Sequence, residues 1–228
     1  MGSEMCIRDS PSLTPITTDT EWVRALKGVT LEDVGLVITD ANNKRLDQRR
    51  GGFLFTHFGL SGPVALDISR TITGHVQPRE LTLHCDFLPE RSQQDFSTRL
   101  KSDCQSSGKK QLASILAQII PRRLADAILE QTEIDPQSRG AELSKKLQGK
   151  LVTAIKANQL AISGTRGFKK AEVTAGGVSL EEIDSRTMES RMCPNLFVAG
   201  ELLDLDGPIG GYNFQAAFST AWLAGQSV

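Results

Sequence analysis

The stretch Gly200-Glu201-Leu202-Leu203-Asp204-Leu205-Asp206-Gly207-Pro208-Ile209-Gly210-Gly211-Tyr212-Asn213-Phe214-Gln215 is the densest chemical constellation in the chain. Upstream, Leu196 to Ala199 is a short continuous apolar run that reads as a strand buried on both faces. Downstream, from about Tyr212 to Gly225, Phe214, Ala217, Phe218, Ala221 and Trp222 share one helical face. The order is therefore strand, glycine loop, helix. Glycines let a backbone approach a ligand closely, and the free N–H groups at the start of a helix favour an anionic or electron-rich group. Acidic side chains after a strand suit hydrogen bonds from sugar-like hydroxyls. Two readings stand on these residues alone: a cofactor edge docked on the loop, or an ordinary tight turn whose aspartates cap a helix.

Working outward, residues 29–39 are rich in β-branched side chains, and Gly51 to Thr56 is a second apolar run, with Asp40, Asn42 and Asn43 as the turn between them. Arg79 to Phe87 alternates, placing Leu81, Leu83 and Cys85 on one face and Thr82, His84 and Asp86 on the other. The period then changes. Leu112, Ile115, Leu116, Ile119 and Ile120 follow helical spacing up to Pro121; Leu124, Ile128 and Leu129 continue in a second helix. A third is expected from about Ala141 to Asn158, carrying Leu143, Leu147, Leu151 and Ile155 on its inner stripe. Leu160 to Gly164 and Lys170 to Thr174 return to strand, and Gly176-Gly177 marks a turn. Met1 to Ser10 has no periodicity and reads as a leader outside the fold.

Composition narrows the function classes. The 228 residues, 39% hydrophobic, are enough for a packed core, and 26 Lys plus Arg against 27 Asp plus Glu leave a formal charge of -1. No overall positive field attracts nucleic acid or anionic lipid, and no apolar stretch reaches membrane-spanning length, so neither nucleic acid nor membrane is an expected partner. A cytoplasmic protein is expected. Cys6, Cys85, Cys104 and Cys193 form no C-x-x-C pair, and His57, His75 and His84 are scattered, so no metal site is read. Gly59-Leu60-Ser61-Gly62 has the start of a nucleophile elbow, but Pro63 stands where the last glycine belongs. Ser61 can also simply cap a helix running to about Ile72.

Gly200-Glu201, Asp204, Asp206-Gly207 and Gly210 to Gln215 resemble the C-terminal signature of BaiN-like FAD-dependent oxidoreductases, also called the aminoacetone-oxidase type. Gly52 to Pro63, Ala171 to Val178 and Met188-Glu189-Ser190 agree with that resemblance, which covers roughly everything after Ser10. It implies an α/β and α+β chain: the C-terminal portion of a two-dinucleotide-binding-type FAD domain plus an inserted antiparallel, barrel-like β domain carrying a small helical bundle. Residues 11–16 would be a remnant of the FAD domain, 17–165 the inserted substrate domain (strands about 29–87, helices about 90–158), and 166–228 the C-terminal FAD-domain segment. The implied FAD neighbours are Thr174, Gly176, Gly177, Gly200, Glu201, Asp204, Gly207, Gly210, Gly211, Tyr212, Asn213 and Phe214. His57 and Ser61 are polar residues of the substrate side. The partners implied are a small-molecule substrate and NAD(P)H. The family's G-x-G-x-x-G turn occurs nowhere in the sequence. A fragment, inactive by itself and completed by an N-terminal FAD-binding half, is expected; a split-flavoprotein subunit or a non-enzymatic interaction module is the alternative.

Overall fold

A computed structural model describes residues 9–228. The expected leader lies outside the described residues except for Asp9 and Ser10, and Cys6 lies outside them too. In chain order the elements are β1 (Ser10–Ser12), β2 (Ile16–Thr17), α1 (Glu21–Ala25), β3 (Thr30–Thr39), β4 (Arg45–Thr56), β5 (Gly59–Ser61), α2 (Pro63–Thr73), β6 (Thr82–Asp86), α3 (Gln93–Ser106), α4 (Leu112–Leu116), α5 (Arg122–Gln131), α6 (Lys145–Lys156), β7 (Asn158–Ala161), β8 (Gly164–Thr165), β9 (Val173–Ala175) and α7 (Tyr212–Ser227).

Seven strands form one antiparallel sheet in the order β7-β6-β3-β4-β5-β2-β8. Its two edge strands, β7 and β8, are successive pieces of one stretch separated by Ile162 and Ser163, so the sheet must curl back on itself. No ladder joins β7 to β8, and the barrel is not closed. The β3–β4 hairpin turns where expected: Asp40 accepts from the backbone N–H groups of Asn42 and Lys44, and Asn43 takes φ 59°. Alternation on β6 also holds, with Leu83 and Cys85 fully buried beside Leu36 and Ile38 of β3. Burial pushes the Cys85 thiol well above its ordinary range, so it behaves as a core side chain.

Several expected elements change. Ser61 does not cap α2; it lies in β5, and Gly62 occupies the cap position because the chain leaves the strand directly into Pro63. The third bundle helix starts at Lys145 rather than Ala141, since the Ser144 hydroxyl accepts the Leu147 N–H and sets the boundary. The helix expected through Ile120 stops at Leu116, and the rest winds as turn before Pro121. The strand expected at Lys170 begins at Val173, because Gly167–Lys169 forms a 3-10 turn first. Helix α3 had no clear apolar signal: only Phe96, Leu100 and Cys104 face inward along an otherwise polar helix.

The largest correction is at Leu196 to Ala199. Phe197 makes a single bridge with Glu189, Leu196 is exposed, and no strand forms. A strand buried on both faces needs hydrogen-bonded neighbours on both edges and cover above and below; among the described residues this run has one edge neighbour, residues 188–190, which bond to Leu196 O and the Val198 N–H, and only Val198 is buried.

Candidate functional site

Strand β1 pairs antiparallel with β9, placing Pro11 opposite Thr174. The Gly176-Gly177 turn, with φ 107° and 150°, then carries Val178 alongside Leu203. There the Val178 N–H donates to Leu202 O at 2.8 Å, and the Asp204 N–H donates to Val178 O at 2.9 Å. Gly176, Gly177 and Asp204 thus shape the backbone behind the loop. The Asp204 side chain is exposed.

The expected constellation converges on one cleft of about 420 Å³, within the size range of small-molecule sites. Thr174, Gly200, Glu201, Gly210, Gly211, Asn213 and Phe214 line it. Gly176, Gly177, Asp204, Gly207 and Tyr212 do not reach its wall. Leu13, Val173, Leu205, Pro208, Ile209, Ala216 and Ala217 add an apolar wall, and Glu172 a second carboxylate beside Glu201. Glu201 is exposed, yet its Oε1 accepts the Thr174 N–H at 2.6 Å and joins the loop to β9. Asn213 clamps the loop from the other end, accepting from the Gly207 N–H at 2.8 Å and donating to Gly207 O at 2.9 Å.

Helix α7 opens at this cleft. Gly211 is its cap residue at φ 90°, ψ 0°, a left-handed conformation that favours glycine, and a Cβ built there meets no atom within 4 Å. The Gln215 N–H is the first to bond back, to Gly211 O. Among the described residues, the N–H groups of Tyr212, Asn213 and Phe214 therefore have no backbone partner, and no side chain caps them. The site combines these donors, the positive helix end and an apolar wall.

Two contacts from α2 hold the loop in place. The Ile209 N–H donates to Asp67 Oδ1 at 2.7 Å. Asp206, whose side chain is only 5% exposed, accepts the Ser12 hydroxyl at 3.0 Å and pairs with Arg70 Nη1 at 2.7 Å, an ion pair without directed hydrogen-bond geometry. Asp67 and Arg70 escaped the sequence reading. Their signal was an i, i+3 pair, the only charged residues of that helix. His57 and Ser61 are not brought into the cleft: His57 is exposed in the β4–β5 turn against the Phe58 ring, and Ser61 pairs with Leu54 in the sheet.

A family model described as HI0933-like protein barrel and H2TH domain matches residues 10–173. The chain belongs to the HI0933-like family. This is the BaiN-type flavoprotein family to which the glycine loop pointed. Among curated relatives, the chain is 36% identical over 220 residues to the ribosomal RNA dihydrouridine synthase of Haemophilus influenzae, covering 95% of this chain and 51% of the relative. It is 36% identical over 208 residues to the protein of the same name from Escherichia coli, covering 91% and 48%. It is 34% identical over 183 residues to the 3-dehydro-bile acid delta(4,6)-reductase of Clostridium scindens, covering 80% and 45%. The chain spans about half the length of these HI0933-like relatives. No helix among its described residues is long and apolar enough to cross a membrane.

Proposed function

We propose that the whole protein is a cytoplasmic FAD-dependent oxidoreductase that transfers hydride between the flavin and a small organic substrate or NAD(P)H. In this reading residues 17–165 form the inserted substrate domain. Residues 11–16 and 166–228 belong to the FAD domain, and an N-terminal half supplies the pyrophosphate seat. The observation that carries it is the 420 Å³ cleft at the uncapped start of α7, where three N–H groups and the Gly210-Gly211 turn meet an apolar wall.

The donor set fits the flavin end of FAD. Bound there, FAD supplies two-electron chemistry that no side chain provides. The chain's own residues bind and orient it. The N–H groups of Tyr212 to Phe214 would hold the edge of the ring that faces them and favour an electron-rich group there. Leu13, Ile209 and Phe214 exclude water from one wall, and Glu201, through Thr174, fixes the strand forming another.

The relatives' names favour a second substrate reading. Making a dihydrouridine and reducing a bile acid at delta(4,6) both add a hydride and a proton across a carbon–carbon double bond conjugated to a carbonyl. An enone-like group therefore suits the site better than an alcohol or amine, and a uracil base in RNA is one such group. Purifying the whole protein tests the flavin reading: the expected product is yellow, shows oxidised flavin bands, and bleaches when NAD(P)H is added without oxygen. Colourless protein that takes up no FAD would refute it.

A further inference from the structure

The formal charge of -1 averages over two unlike regions. Residues 93–158, which hold α3 to α6, carry eleven Lys and Arg against seven Asp and Glu, a formal +4, leaving -5 for the rest. Charge asymmetry of this kind is the electrostatic footprint of a polyanion partner even where the total is neutral. The positive region is also shaped. Between α3 and α6 runs a groove of about 860 Å³ lined by Lys101 and Lys145, by amides and hydroxyls such as Gln94, Thr98 and Gln105, and by no carboxylate.

These five side chains make no hydrogen bond or ion pair with another described residue, unlike Arg99 and Arg122, which are tied to Asp103 and Asp126 on their own helices. The groove floor includes Gly149, in the middle of α6, where a Cβ would meet nothing within 4 Å. Glycine inside a helix costs about 1 kcal/mol relative to alanine and packing does not require it here, so the open space above it is a feature of the groove. No large apolar side chain is exposed along the groove, which argues against insertion into lipid.

We propose that this groove binds the sugar–phosphate backbone of RNA, with Lys101 and Lys145 on phosphates and the neighbouring amides and hydroxyls on phosphate oxygens and ribose hydroxyls. It rests on the reading that the substrate is a base in RNA. Backbone contacts position a strand without reading its sequence, so the groove contributes affinity and orientation while base selection falls to the reaction site.

The test is fluorescence anisotropy of a short mixed-sequence RNA hairpin titrated with the chain, the K101E/K145E double variant, and a K27E/K44E double variant of equal net charge. Glu at position 145 sits in the first turn of α6 and suits its dipole, so folding is not at risk, and circular dichroism checks this. The wild-type chain and K27E/K44E are expected to bind alike. K101E/K145E should bind at least roughly ten-fold more weakly, with a log–log salt slope smaller by about two, one per lost phosphate contact. Binding unchanged in K101E/K145E would overturn the groove assignment while leaving an RNA substrate standing. No RNA binding by the wild-type chain, or tighter binding to phosphatidylserine vesicles than to RNA, would overturn the RNA reading itself. Either way, FAD content of the whole protein reports separately on the cleft.

Discussion

The sheet with its helical bundle and the segment after β9 solve the problem of burial differently. In the first, Phe55, Phe87, Phe96, Ile38 and Leu83 are fully buried in one continuous core that runs from β2 through α6 to β7. In the second, the core is four residues, Ile183, Met188, Val198 and Leu203, and α7 has no buried residue at all. Phe214, Phe218 and Trp222, spaced four apart, stand 74%, 71% and 64% exposed. A continuous core stabilises a unit by itself; an exposed aromatic row on a helix beside a ligand cleft marks a surface whose cover comes from elsewhere. Under the proposed function that cover is the dinucleotide-binding half.

The sharpest way to break this contrast is to truncate matched aromatics. Phe96→Ala should cost about 3–5 kcal/mol in urea unfolding of the chain, whereas Trp222→Ala should stay within about 0.5 kcal/mol. Equal losses would mean that α7 is packed after all. A smaller effect is expected where the two regions touch. Arg70→Ala leaves the Asp206 carboxylate with only the Ser12 hydroxyl, at a cost of about 1–2 kcal/mol felt locally, so proteolysis between residues 204 and 211 should accelerate while the midpoint of global unfolding barely moves.

Within the cleft, Glu201→Ala should weaken FAD binding by the whole protein roughly ten-fold by freeing the Thr174 strand edge, with little change from Asp204→Ala, whose side chain neither lines the cleft nor bonds to another described residue. Fluorescence titration decides this, and equal effects would show that Asp204 touches the ligand. The smallest effect belongs to the sheet. Burial lowers the His84 pKa, so the folded state resists protonation more than the unfolded state does. Stability should therefore be complete above the ordinary histidine pKa of about 6.5 and decline as pH falls below it, and His84→Gln should flatten that decline between about pH 7 and 5. An unchanged slope would assign the loss to other groups.

The two regions also differ in how legible they were. Alternation on β6, and the Leu151 and Ile155 stripe of α6, follow from burying one face against the chain's own core, and a period reports that directly. The apolar run at Leu196 to Ala199 and the aromatic face of α7 carry equally strong patterns, yet pattern does not say which neighbour does the burying. The cleft was legible because Gly210-Gly211 and the acids are local in sequence. Asp67, Arg70 and Leu13 were not, since contacts across more than a hundred residues leave no local period.

Whether the cleft at the start of α7 receives the flavin is tested most directly by Ala216→Phe in the whole protein. Ala216 lines the cleft from the helix itself, so a larger side chain fills the space without the backbone strain that Gly211→Val would add at its positive φ. The expected result is folded, colourless protein with an unchanged circular dichroism spectrum and little bound FAD. A yellow Ala216→Phe protein with stoichiometric FAD would place the cofactor elsewhere and contradict the account.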